Sequence, residues 1–491
     1  MVSKVLSILK SGDQQQQMYY GFAAITLISL FVGIIGSWYF MVGIPAFLLL
    51  LFVSIVDFRK VFYLLIACIP LSTEFHLPNG FGTDLPTEPL MVGLMLIALL
   101  FGASRTDRLN TPFFRHPITL ILLLHLTWIY ATTITSELLF VSIKFSLAKT
   151  WYIVVFYFLA GHLIKTEKHI RTLFWLILIP LVFTVAVILV RHAAFGFAFH
   201  SVNAVLYPFQ RNHVNYAATL TLFFPWLWIA RSWYKPQSLK WWFLVGCTAF
   251  LLLAVYLTYT RAAYIALMLS VAAFLVFHFK LIRYVLFGSL IVAMLGIVYM
   301  VNDNTYLEYA PNFDRTITHE SFDNLIEATY KMEDISTMER VYRWVAGFHM
   351  SGDNPILGFG PGNFVNFYKS YTVTSFQTYV SNNVDNSGIH SYFLMTLVEQ
   401  GIIGLIIFFV LSFYVLIRGE KIYHQTIDPH RKRLVMMVLL TIVVIDAFLL
   451  INDMIETDKV GSFFFMCMAI LVNLDLANGR ERQLGSLKLE K

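Results

Sequence analysis

The chain has 491 residues, of which 58% are hydrophobic and only 13% charged. Soluble domains carry about 25% charged residues, so the composition excludes one and describes an integral membrane protein. The net charge of +6 then reports on membrane sidedness and anionic headgroups, and not on nucleic acid.

Apolar runs near 19–36, 37–56, 61–75 and 87–103 open the chain, most of them close to the ~20 residues that a helix needs to cross a bilayer. The first 18 residues, with their glutamine run, are too polar for a secretion signal, so the first span is expected to be retained. The acidic, turn-rich segment STEFHLPNGFGTDLPTE separates the third run from the fourth, and Glu88 reads as a first-turn carboxylate favoured by the helix dipole. Runs at 117–135, 149–165 and 172–191 follow. His125, alone in an apolar run, reads as a hydrogen-bonded interior residue. Between the fifth and sixth runs, SELLFVSIKFSLAKT reads as a short helix lying in the interface, with Lys144 and Lys149 reaching for headgroups.

The eighth run, 213–230, begins where Arg211, Asn212, His213 and Asn215 cluster. Asn212 is placed to cap the helix, while Arg211 either snorkels to the interface or meets a polar substrate. Runs 241–259 and 262–279 form a hairpin closed by LTYTRAAYIAL, with Arg261 at the head of a helix. A cation there opposes the dipole, and an anion bound between them would ease the conflict. After the run 284–301 comes a stretch, 302–390, too long to be a mere connection. Its segment 321–350 has a helical pattern that sets Arg340, Arg343 and Trp344 within about a turn, so that the arginines converge. Pro355, Gly358, Gly360, Pro361 and Gly362 mark a tight turn that lacks the Lys-Ser/Thr ending of a P-loop. Runs 391–417, 434–452 and 460–477 complete the set, and Glu399 and Asp446 within them are intramembrane carboxylates, functional candidates by default. Cys68, Cys247 and Cys467 all fall in apolar runs, without disulfide or metal-binding spacing.

With both termini cytoplasmic, about two thirds of the 35 lysines and arginines fall on the cytoplasmic side, including Arg431, Lys432 and Arg433. The positive-inside rule therefore expects both ends inside and the long loop outside. The expected architecture is all-α: a polytopic transmembrane helical bundle of about 12–14 spans, about eleven of them in 1–301. A large external loop containing helices occupies 302–390, further spans 391–477, and a cytoplasmic tail 478–491.

Four outward-facing arginines, Arg211, Arg261, Arg340 and Arg343, ask for a large anion, because guanidinium forks match phosphate oxygens in bidentate fashion. A diphosphate at the end of a membrane lipid lies at this depth. His390 begins a helix, so the dipole and the arginines are expected to keep its imidazole neutral and able to act as a base. It would take the proton of an acceptor hydroxyl as that oxygen attacks a sugar carbon bonded to the diphosphate. His213, Tyr392 and Glu399 are the expected supporting residues. With no close pair of outer carboxylates, neither a metal nor another cofactor is expected.

TYTRAAYIALMLS, RVYRWVAGFHMSGDNPILGFGPGNF and IHSYFLMTLVEQGIIGLIIFF resemble, in this order, the signature segments of the O-antigen ligase and O-antigen polymerase superfamily. The resemblance covers roughly residues 205–417. It implies a metal-independent glycosyltransferase of the GT-C type, multi-pass in the bacterial inner membrane with its active site facing the periplasm. The donor would be an undecaprenyl-diphosphate-linked glycan. The family's helix-end arginine matches Arg261, its loop arginine Arg340 and its loop histidine His390; Ser391 stands where many members have Asn. The fourteen apolar runs exceed the 12 spans usual in the ligases. A ligase, with lipid A-core as acceptor, is favoured over an O-antigen or exopolysaccharide polymerase. A solute transporter, its path lined by Glu399, Asp446 and His125, is the reading from another class, although interrupted helices and paired halves would then be expected.

Overall fold

The computed structural model describes residues 14–38, 41, 43–76, 82–104, 111–310, 335–378, 381–383 and 386–489. The first half of the helix expected over 321–350 lies outside the described residues. The chain divides after Leu65 into two compact units. The first holds helix α1 (Gln14–Ile35), ended by a turn in which the Trp38 N–H donates to the Gly33 carbonyl, and most of helix α2 (Gly43–Cys68). Non-helical torsions at Asp57 interrupt α2. The runs expected as separate spans at 37–56 and 61–75 are thus largely one interrupted helix. Its apolar sequence gives way at Ile69–Leu71 to a 3-10 turn that carries Pro70 in its first turn.

In the second unit, β1 (Thr73–His76) and β2 (Gly82–Leu85) pair antiparallel with Glu74 opposite Asp84. Then follow α3 (Thr87–Ser104), α4 (Pro117–Ile134), α5 (Leu139–Leu163), α6 (Glu167–Ala193), α7 (His213–Ala230), α8 (Leu239–Tyr256), α9 (Arg261–His278) and α10 (Ile282–Val301). The long loop contributes α11 (Ile335–Asp353), and the chain closes with α12 (Tyr392–Gln425), α13 (Pro429–Ile451) and α14 (Asp458–Leu489). Among the described residues, nine helices are long and apolar enough to cross a membrane. The molecule is the polytopic helical bundle that its composition requires.

Short polar side chains start these helices. Thr166, Asn212, Ser238, Ser391 and Asp428 each accept a backbone N–H of the first turn, which satisfies donors that the helix leaves unpaired. The core runs along α13, which packs against α7, α9, α12 and α14. Nearly every residue from Leu434 to Ile445 is buried, whereas α10 buries only Ile282 and turns its apolar surface outward.

One expectation is corrected here. Residues 139–163 form one helix, bulged into π geometry over Val154–Leu159, and no separate interface helix precedes it. Lys144 is exposed, but Lys149 is 1% exposed and does not reach for headgroups. Its ammonium donates to Glu456 at 2.5 Å and to the Tyr392 hydroxyl at 3.3 Å. The carboxylate that makes this burial tolerable stands 307 residues away in sequence, beyond the reach of any local pattern. His125 is interior as expected, its ring 5.5 Å from that of Phe408.

Candidate active site

The site is built on a broken helix. Gly401 interrupts α12 with φ 68° and ψ −175°, torsions open essentially to glycine alone. A break strands backbone groups in an apolar setting, where each must find a partner. The Pro- and Gly-rich turn of the loop supplies them. Phe359 and Gly360 donate to the carbonyls of Val398 and Glu399 at 2.9 Å each, and Ile402 donates to the Pro355 carbonyl at 2.8 Å. A Cβ on Gly401 would collide with the Ile356 carbonyl, and one on Gly358 with the backbone of Glu399. The Glu399 side chain, 2% exposed, accepts the N–H of Gly362 at 2.8 Å and that of Phe364 at 3.1 Å. The tight turn expected from sequence is therefore locked into the membrane helix, and Glu399 is its anchor.

The turn fixes α11 beside the head of α12. Gly347 of α11 leaves room for Ile389, and the Trp344 indole donates to the His390 carbonyl at 3.4 Å. His390 itself has φ +58°, a strained value for a residue with a side chain. Ser391 then caps α12 on the Leu394 N–H, as an asparagine would. Arg343 is 5% exposed; both terminal nitrogens of its guanidinium are engaged, while Nε is buried without a hydrogen-bond partner. Nη1 reaches His390 Nε2 at 2.5 Å and the Gly388 carbonyl at 3.4 Å; Nη2 reaches Glu339 and Asn383 at 3.3 Å each. Because a guanidinium can only donate, His390 Nε2 carries the lone pair and Nδ1 the proton. Burial, and then the charges of Arg340 and Arg343, push the His390 pKa down to about 3, so the ring is neutral at ordinary pH.

The other candidates gather around this pair. Arg340 donates to the carbonyl and hydroxyl of Ser336 at 3.1 and 2.7 Å and lies within electrostatic reach of both His390 and His213. His213 heads α7, and both its backbone N–H and its Nδ1 meet Asn203 Oδ1, at 2.9 and 3.0 Å. A shared acceptor oxygen requires Nδ1 to carry the proton. The Thr260 hydroxyl donates to the His213 carbonyl at 3.4 Å, which brings the neighbouring Arg261, first residue of α9, to the same place. Arg211 is exposed, 3.8 Å from Glu74. Tyr392, fully buried, turns its hydroxyl to Lys149. Asp446, in α13, is half-buried, with Oδ1 buried and without a hydrogen-bond partner.

Sequence reasoning missed three members of the cluster. Asp453, in the turn between α13 and α14, packs against Gly388 and feels Arg211 and Arg343, while burial holds its carboxyl above the usual range. Asn383 belongs to an irregular stretch without periodicity. Glu339 was detectable, since it precedes Arg343 by four residues on a helix, a spacing that pairs opposite charges.

The fold defines a polytopic helical membrane protein with a cationic, histidine-bearing cluster where helix heads meet a docked loop. Residues 246–409 match the family model for O-Antigen ligase. That third of the chain, which runs from within α8 into α12, is similar to the O-antigen ligase family. Arg261, Arg340, Arg343, His390 and Glu399 lie inside the match; Arg211 and His213 precede it. A comparison with curated protein sequences gives no match.

Proposed function

We propose that the protein transfers a glycan from an undecaprenyl-diphosphate carrier to an acceptor hydroxyl on the periplasmic face of the bacterial inner membrane, with both termini in the cytoplasm. The observation that carries this reading is the contact of Arg343 with a neutral His390 at the head of α12, with Arg340 within electrostatic reach of the same ring, Arg211 within reach of Asp453, and Arg261 following the Thr260 that bonds His213. Four guanidiniums set around one region favour a multiply charged anion, whose oxygens their forks match. The diphosphate of a lipid carrier is such an anion at the right depth.

In this scheme the diphosphate draws the Arg343 Nη1 donor away from His390 and frees the Nε2 lone pair. Its negative charge also offsets the two arginines, which raises the proton affinity of the ring when the donor is in place. The acceptor O–H gives its proton to Nε2 while the oxygen forms a bond to the sugar carbon. The bond from that carbon to the diphosphate oxygen breaks with its electron pair, and the guanidiniums stabilise the charge left on undecaprenyl diphosphate, without a metal. Glu399 supports the site by anchoring the turn and Tyr392 by fixing the helix head; His213 orients the approach of Arg261.

We take the acceptor to be lipid A-core, as in a ligase, with joining of lipid-linked repeats as the alternative. The test is a mass-spectrometric profile of lipid-linked glycans in cells without the protein and in cells carrying His390→Ala. Long polymer accumulating on the carrier supports ligation, and single repeats alone support polymerisation. An unchanged profile in both strains overturns the transferase reading and turns attention to transport.

A further inference from the structure

Glu339 is a buried carboxylate, 7% exposed, in the external loop. One of its oxygens accepts the Thr378 and Ser381 hydroxyls, the latter at 2.6 Å, and the other faces Arg343 Nη2 at 3.3 Å. Arg343 spans from there to Asn383, Gly388 and His390. The two residues, one helical turn apart on α11, thus staple Thr378, Ser381, Asn383, Gly388 and His390 to the helix. Two hydroxyls and a guanidinium satisfy the carboxylate, so it is built into the loop and not exposed to substrate. Its charge also makes a buried guanidinium tolerable only where it stands.

We infer that Glu339 is a positioning residue that acts on the reaction through Arg343, holding the guanidinium where it keeps the His390 proton on Nδ1 and the basic lone pair on Nε2. The inference rests on His390 being the base of the proposed transfer. Without the carboxylate, the guanidinium loses the partner that aims it, and the imidazole is free to take either tautomer. Only one of these presents a basic Nε2 to the acceptor. When the diphosphate attracts Nη1, Glu339 retains Nη2, so that Arg343 pivots between His390 and the ligand and does not leave the site.

The test uses the full-length protein in nanodiscs with a lipid-diphosphate-linked glycan as donor. Glu339→Gln is expected to lower kcat by about ten- to a hundredfold, the usual effect of losing a group that orients a reacting side chain, with donor KM within about threefold of wild type. In an Arg343→Gln background, Glu339→Gln is expected to add no further loss, because residues that act as one unit are not additive. Wild-type kinetics for Glu339→Gln, or a full additional loss in the double variant, overturns the inference. A wild-type measurement covers the case in which the variant does not fold. Spectra of protein labelled with 15N-histidine, with the signal assigned by its absence in His390→Ala, are expected to place the His390 proton on Nδ1. A proton on Nε2 refutes the inference. Transfer that persists in His390→Ala defeats instead the reading on which it rests.

Discussion

Glu399→Gln tests whether this intramembrane carboxylate is an anchor. The wild-type side chain offers two acceptor oxygens, one to Gly362 N–H at 2.8 Å and one to Phe364 N–H at 3.1 Å. Glutamine fits the same volume but has one oxygen, so its amide NH2 faces one of these donors head-on. A buried backbone N–H left without an acceptor costs about 1–3 kcal/mol, and the lost bond about 1 kcal/mol more. A total of about 2–4 kcal/mol raises the population of the undocked turn by roughly 30- to 900-fold, taking 1.36 kcal/mol per factor of ten. When opening is fast relative to cleavage, proteolysis follows that population. The assay is limited proteolysis in detergent micelles, with cleavage mapped to residues 354–378, alongside in-vitro transfer. Faster cleavage confined to this loop, with reduced transfer, is the expected result. Unchanged cleavage with abolished transfer would refute the anchoring argument and make Glu399 a participant in the chemistry.

Three further outcomes follow from the geometry. His390 has a depressed pKa in the folded protein, so below its unfolded value the unfolded chain binds a proton that the native one refuses, and stability falls as pH drops from about 6.5 towards 3. Between pH 7 and 5 this is worth about 2 kcal/mol, and a His390→Gln variant should show a correspondingly flatter dependence of Tm on pH. Arg261→Ala should raise the donor KM by roughly 10- to 100-fold, the worth of a charge-assisted hydrogen bond of about 1.5–3 kcal/mol; Arg261→Lys should fall between, because an ammonium keeps the charge and loses the planar fork. Equal KM for Arg and Lys in steady-state kinetics would mean that charge alone is read. Lys149→Met should destabilise the protein by about 3 kcal/mol, because it strands the partly buried Glu456, and adding Glu456→Gln should restore most of that in thermal melts. No recovery in the double variant would place the cost in packing.

What the sequence determined by itself was whatever depends on composition and local spacing. Low charge and long apolar runs require a helical membrane bundle, since backbone polar groups in lipid must be satisfied within each segment. Asn212 announced a cap, and the glycines and prolines around Gly360 announced a turn. Each is a statement about neighbours along the chain. The tertiary structure decided which distant groups meet. Lys149 reads as an interface anchor until Glu456 and Tyr392 close around it. Glu399 reads as a catalytic or conducting carboxylate until the amides of Gly362 and Phe364 occupy both of its oxygens. Arg343 reads as a free fork until Glu339, Asn383 and His390 take its two terminal nitrogens. Sequence gives the type and the approximate depth of a charged group; the partner that sets its role comes from another helix, and only the packed fold brings the two together.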